Sequence, residues 1–149
     1  MAGAMRRAHA VLPLLSVSLV LLAGCSIKQD VKPVTLAQLP TKEICVRENR
    51  DVRPAFLDAY KQALEGKGLS VRVLPADAGI TACPLLTTYS ANWRWDFTMY
   101  MAYAEMKVYR DGSEVGKAVY DSLMGGGRLD KFINADEKVR ELVNQLFPS

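Results

Sequence analysis

The chain has 149 residues, with 19 Lys and Arg against 16 Asp and Glu, enough for one domain with a modest core. Arg6 and Arg7 fall in an apolar N-terminal segment, so the remainder carries 17 basic and 16 acidic residues; that balance, without a Lys/Arg run, gives no sign of a nucleic-acid partner. The single histidine, His9, lies in the same segment. The rest of the chain therefore lacks the means for Ser-His-Asp or Cys-His catalysis and for the usual His-containing zinc sites. Carboxylate or lysine chemistry stays open, without the commonest general base.

Residues 1–24 have the parts of a secretory signal: Arg6 and Arg7, an apolar run from Ala10 to Ala23, and small residues at its end. The run is too short to span a membrane, which takes about 20 apolar residues. Leu22-Ala23-Gly24-Cys25 resembles the lipobox of bacterial lipoproteins. The resemblance implies cleavage before Cys25, a diacylglycerol on its thiol and an acylated amino terminus. Several chains anchor firmly where one is marginal. Ser26 stands where an aspartate commonly retains such proteins in the inner membrane, so the implied location is the outer membrane, facing the periplasm. Of the two other cysteines, Cys45 and Cys83, an oxidising compartment and an even count point to a disulfide. Two buried free thiols are the alternative.

Ser26 to Thr41 is polar, with Pro33 and Pro40 and no periodicity, and reads as a tether holding the domain off the bilayer. Residues 42–149 then form one domain. Glu43–Glu48 reads as a strand with Ile44 and Val46 on one face and Cys45 on the other. Pro54 suits the first turn of a helix carrying Phe56, Leu57, Tyr60, Ala63 and Leu64 on one stripe. Leu69–Leu74 is a second strand. Leu85–Tyr109 is strand-like for 25 residues, too long for one strand, and must fold back within Asn92–Phe97. Asp111-Gly112 marks a hairpin, returning as a strand over Glu114–Ser122. After the Gly125-Gly126-Gly127 loop, Asn134 with Glu137 starts a helix that aligns Val139, Leu142, Val143 and Leu146. The order β-α-β-β-β-β-α predicts an α+β two-layer sandwich: a mostly antiparallel sheet of about five strands with two helices on one face.

Two stretches are candidate binding surfaces. Trp93, Arg94, Trp95 and Asp96 sit at the expected fold-back, with aromatic faces beside an Arg/Asp pair; packing of the tryptophans inside the fold is the competing reading. Beyond the fold-back, Ala102, Ala104, Met106 and Val108 alternate with Met99, Met101, Tyr103 and Tyr109. If the first set takes the helices, the second forms an exposed apolar patch. Gly125-Gly126-Gly127-Arg128 fits no phosphate-binding pattern.

Tyr89–Asp96 with its Trp93-Arg94-Trp95-Asp96 core, Met99-Tyr100-Met101, Tyr109-Arg110-Asp111-Gly112 and Lys131-Phe132 resemble a set of small lipoproteins of Gram-negative bacteria. That set combines a lipobox, a Trp-x-Trp-Asp segment and a closing amphipathic helix, and brings no established activity. The element order is also similar to envelope-assembly and transport-auxiliary lipoproteins, an analogy of fold. Together these imply a lipid-anchored, non-enzymatic binding or assembly component at the outer membrane. Its partner would be an envelope protein, and it would need no metal or cofactor. A small-ligand, lipid or glycan binder is the second reading, and a hydrolase using Asp96 and Glu105 the third.

Overall fold

The alternating stretch from Leu85 onward builds the centre of the sheet. In the computed structural model, which describes residues 26–149, β4 (Leu85–Asp96), β5 (Thr98–Arg110) and β6 (Ser113–Asp121) form an antiparallel meander. Residues 1–24, read from sequence as a signal segment, and Cys25 lie outside the described residues. Asp111 and Gly112 both take positive φ (49° and 81°), the conformation that a two-residue hairpin turn demands and that an Asp-Gly pair supplies. β2 (Glu43–Arg47), helix α1 (Pro54–Gly66) and β3 (Ser70–Leu74) form a parallel β-α-β unit beside β4. α2 (Ala135–Leu146) closes the chain. Its start is the one the sequence indicates, with Asn134 Oδ1 accepting from the Glu137 amide at 3.0 Å.

The two-layer α+β sandwich is as expected, with one strand more. Lys28–Lys32, within the stretch read as tether, forms strand β1 and pairs antiparallel with β6, giving the order β1-β6-β5-β4-β2-β3. Lys-Gln-Asp-Val-Lys carries almost no apolar alternation because it lies at an edge and buries little. It is held instead by backbone pairing and by α2. Gln29 Nε2 donates to Glu141 Oε1 at 2.8 Å and to Gln145 Oε1 at 2.9 Å, and the Val34 amide donates to the Leu146 carbonyl at 2.7 Å. Val34 in turn seats on Gly116, where any Cβ would lie 2.1 Å from a Val34 methyl. Glycine is required there by close approach.

The core lies between the sheet and the helices. Ile44, Val46, Leu85, Tyr89, Ala104, Met106, Val108, Ala118 and Tyr120 meet Phe56, Tyr60, Leu64, Val139, Leu142, Val143 and Leu146. A buried polar bridge crosses the core: Tyr60 Oη lies 2.6 Å from Thr87 Oγ1, which donates to the Lys107 carbonyl. Burial pushes the Tyr60 phenol far above its usual range, against a smaller lowering from the Thr87 bond. On the sheet's other face, the Cys45–Cys83 disulfide forms a smaller cluster with Leu86, Leu74 and Tyr109. It pins the loop after β3 across that face and closes 38 residues.

The alternation of β5 breaks once. Asn92 pairs with Tyr103 but Trp93 with Met101, so Ala102 is an extra residue, a β-bulge. Because side chains alternate with a period of two, one inserted residue exchanges the faces beyond it. Met101 therefore turns into the core at 1 % exposure, while Tyr103 stays on the open face with Glu105, Lys107 and Tyr109. The expected outward apolar patch does not form: Met101 is core, Tyr109 packs on the disulfide cluster, and the open face is polar.

Two outcomes follow. Replacing Cys45 and Cys83 together by Ala should lower unfolding free energy by about 3–4 kcal/mol, the chain-entropy value for such a loop, measured by urea denaturation. Met101→Ser should cost about 2–5 kcal/mol as a large-to-small core change, whereas Tyr103→Ser should cost under about 1 kcal/mol. Equal effects would contradict the bulge.

Candidate functional site

The β4–β5 hairpin outruns its neighbours. β6 pairs with β5 only as far as Tyr103, and β2 meets β4 only at Leu86 and Thr87. The ribbon from about Ala91 to Tyr103 therefore stands beyond the sheet as two strands, a construction that is marginal in water unless braced.

Braces lie on both faces. On the helix side, Trp93 meets Phe56 edge-on at 6.2 Å, Phe56 stacks on Tyr89 at 5.3 Å, and the Arg53 guanidinium sits 5.0 Å from the centre of the Trp93 ring. On the face shared by Asp96 and Tyr100, the connection from β6 to α2 folds against the ribbon. Ser122 donates to the Ala102 carbonyl through both its amide (2.9 Å) and its hydroxyl (3.1 Å), and Phe132 packs edge-on against Tyr100 at 5.3 Å. The buried Lys131 ammonium bonds the Asp96 carboxylate and the Gly126 carbonyl, and lies 5.4 Å from the Tyr100 ring centre and 5.2 Å from that of Phe132. A lysine this far out of water needs such partners. Asp96 is thereby a strut and not a free carboxylate.

At the end of the braced ribbon the chain turns at Phe97, whose φ is 56°. That left-handed conformation suits Gly or Asn and is costly for a bulky residue. The ring gains nothing inside the protein, being 89 % exposed. Trp95 (72 %) and its cross-strand partner Met99 (47 %) flank it, and Met124 (72 %) and Leu129 (79 %) lie on the bracing connection. The expected aromatic tip is therefore real in part. Trp95 and Met99 project outward with the exposed Arg94 nearby, whereas Trp93 and Asp96 hold the tip up.

Asp96 and Glu105, the carboxylates of the hydrolase reading, do not converge. Glu105 is seven residues along β5 from Thr98, the partner of Asp96, or about 20 Å at strand rise. It is flanked by Lys107 and Lys117 at 3.2 and 3.1 Å. Burial raises its pKa, but the bonds from the two lysines outweigh this and leave the carboxyl below its ordinary value. Among the described residues no cluster of His, Cys, Asp and Glu suits a metal ion. Nor is any helix long and apolar enough to cross a membrane. An open groove of about 550 Å³ lined by Leu36, Leu39, Lys42, Lys67 and Leu69 is at the far end of the sheet from the tip.

Phe97, Met124 and Leu129 were not among the residues picked from sequence. Each lies in a turn or loop, where apolar residues have no periodicity to betray them. Only the mismatch between Phe97 and the turn it occupies is a local signal. Replacing Phe97 by Asn, which tolerates positive φ, should leave the melting temperature unchanged or raise it, by up to about 1 kcal/mol of stability. A clear fall would show that the ring is packed inside the fold.

No protein-family model and no curated protein matches the chain. Among solved structures it is similar to the PelC dodecamer of Paraburkholderia phytofirmans, at 14 % identity and a TM-score of 0.54, covering 82 % of this chain and 98 % of that one. A single-substitution variant of the same dodecamer, in a different space group, matches at 12 % identity and a TM-score of 0.51, over 81 % and 94 %. What these likenesses establish is a shared fold.

Proposed function

We propose that the chain is a lipid-anchored, non-enzymatic component of the cell envelope. In this reading Cys25 holds it at the periplasmic face of the outer membrane, where it works in several copies beside an envelope protein partner. The observation that carries the reading is the placement of the exposed apolar side chains on a braced, protruding hairpin. A convex apolar surface suits contact with something large; a small ligand is usually enclosed in a hollow lined by a few polar groups. The lipobox resemblance at Leu22–Cys25 supports the anchor.

Several copies are supported by the sheet's two edges and by the fold neighbours. β1 and β3 each have one unpaired side, and contact between two different edges of identical chains generates rings when the rotation closes. Both similar structures are dodecamers. β1 is charged along its length, whereas Val73 on β3 is 41 % exposed, so β3 is the more adhesive edge. A small-ligand, lipid or glycan binder is less well supported, since the groove at residues 36–42 and 67–69 is remote from the tryptophans.

The test is native mass spectrometry of the full protein extracted in mild detergent, with in-cell crosslinking from a photoreactive residue at Val73. Complexes of several copies, with an adduct between two copies, are expected. Monomers in detergent and no protein adduct in cells would overturn the proposal.

A further inference from the structure

We infer that the tip of the β4–β5 hairpin, Trp95, Phe97 and Met99, together with Met124 and Leu129, is a second membrane contact that seats in the interfacial zone of the bilayer carrying Cys25. The inference rests on the lipid-anchor reading of Cys25 and deepens it by naming the partner of the tip.

Topology places the two contacts at the same end. β1 enters the sheet at Lys28, opposite Asp121, and Asp121 lies opposite Tyr103. The chain thus comes from Cys25 at the end of the sheet where the hairpin protrudes. Ile27 is already half-buried near Gly125, leaving very little tether. The three steps from Cys25 to Lys28 reach at most about 10 Å. From the level of Tyr103 to the turn the ribbon advances four residues on β4, Asn92 to Asp96, about 13 Å, since the extra residue Ala102 adds no length. With the strands upright on the membrane, the backbone of the turn therefore stands about 3 Å past the furthest point Cys25 can reach, so the exposed tip side chains and the anchor meet one bilayer surface.

The chemistry of that end fits lipid. Five of the seven exposed large hydrophobic side chains among the described residues are there; Val73 and Ile80 lie elsewhere. Tryptophan favours the headgroup level, and the exposed Arg94 and Lys28 are placed to meet phosphates. Three carboxylates near the tip are engaged within the fold, Asp96 by Lys131, Asp130 by Arg128 and Asp121 by the Leu123 amide, while Asp136 and Glu137 in the first turn of α2 are exposed. The strained, exposed Phe97 then has a role in the bilayer that it lacks inside the protein.

The test uses the full protein, processed in cells and reconstituted into vesicles of phosphatidylethanolamine and phosphatidylglycerol containing lipid brominated near the headgroup end of its chains. Trp93→Phe leaves Trp95 as reporter, and Trp95→Phe leaves Trp93, with circular dichroism confirming the fold of each. Trp95 emission should shift to the blue and fall about twofold, while Trp93 changes little. Phe97→Asp, at an exposed site, should at least halve the quenching of Trp95. Intact mass of the same sample reports acylation of Cys25. Acylated protein whose Trp95 stays at the emission of a water-exposed indole would overturn the inference and leave the anchor standing. Trp95 emission that shifts only when an envelope protein is added would also overturn it. An unacylated Cys25 would overturn the anchor reading and the inference together.

Discussion

The pairing of β1 with β6 is the interaction on which the rest depends. Five residues with little apolar content, Lys28–Lys32, are fastened by antiparallel pairing to β6 and by Gln29 to Glu141 and Gln145 on α2. Their contribution to burial is small, but their geometric effect is large. A flexible tether of Ser26–Thr41 would let the domain take any orientation and distance from an anchor at Cys25. Ordering Lys28–Lys32 removes most of that freedom. One end of the sheet is then held close to Cys25, the proposed anchor, and it is the end where the hairpin projects.

The hairpin itself shows how a weak element is made firm. A two-stranded ribbon lacks a core of its own, so both faces borrow from neighbours. Phe56 and Arg53 hold Trp93 on one side; Ser122, Lys131 and Phe132 hold Ala102, Asp96 and Tyr100 on the other. The buried ammonium of Lys131 carries a desolvation cost, offset by a carboxylate, a carbonyl and two ring faces. What this bracing supports is an aromatic side chain in a left-handed turn, facing water. A local rule broken without an internal gain is the ordinary mark of a functional position.

Strand and helix periodicity made the core legible. Ile44 and Val46, the Phe56–Tyr60–Leu64 stripe, Leu85–Tyr89 and Val139–Leu146 each alternate as their element requires, and all are buried. Cysteine count indicated Cys45–Cys83, and the Asp-Gly and Asn134 signals located a turn and a helix start through backbone chemistry that is strictly local. The misses share a cause, namely dependence on partners distant in sequence. β1 has no pattern because its stability comes from β6 and α2. The Ala102 bulge, which sends Met101 inward, has no signature among small and apolar neighbours. Trp93 and Trp95 look equivalent in sequence, two residues apart on one face, and only the reach of α1 separates a brace from a tip.

Whether the anchor and tip act at one surface turns on a single local fact, the order of Lys28–Lys32 when the protein is on a membrane. Amide hydrogen exchange of the lipidated protein in vesicles measures it directly. The expected result is that the β1 amides bonded to β6 exchange slowly, within about tenfold of their β6 partners, as one cooperative unit. Exchange at the rate of an unstructured chain across Lys28–Lys32 would mean a long free tether, and would contradict the account that ties the tip to the bilayer.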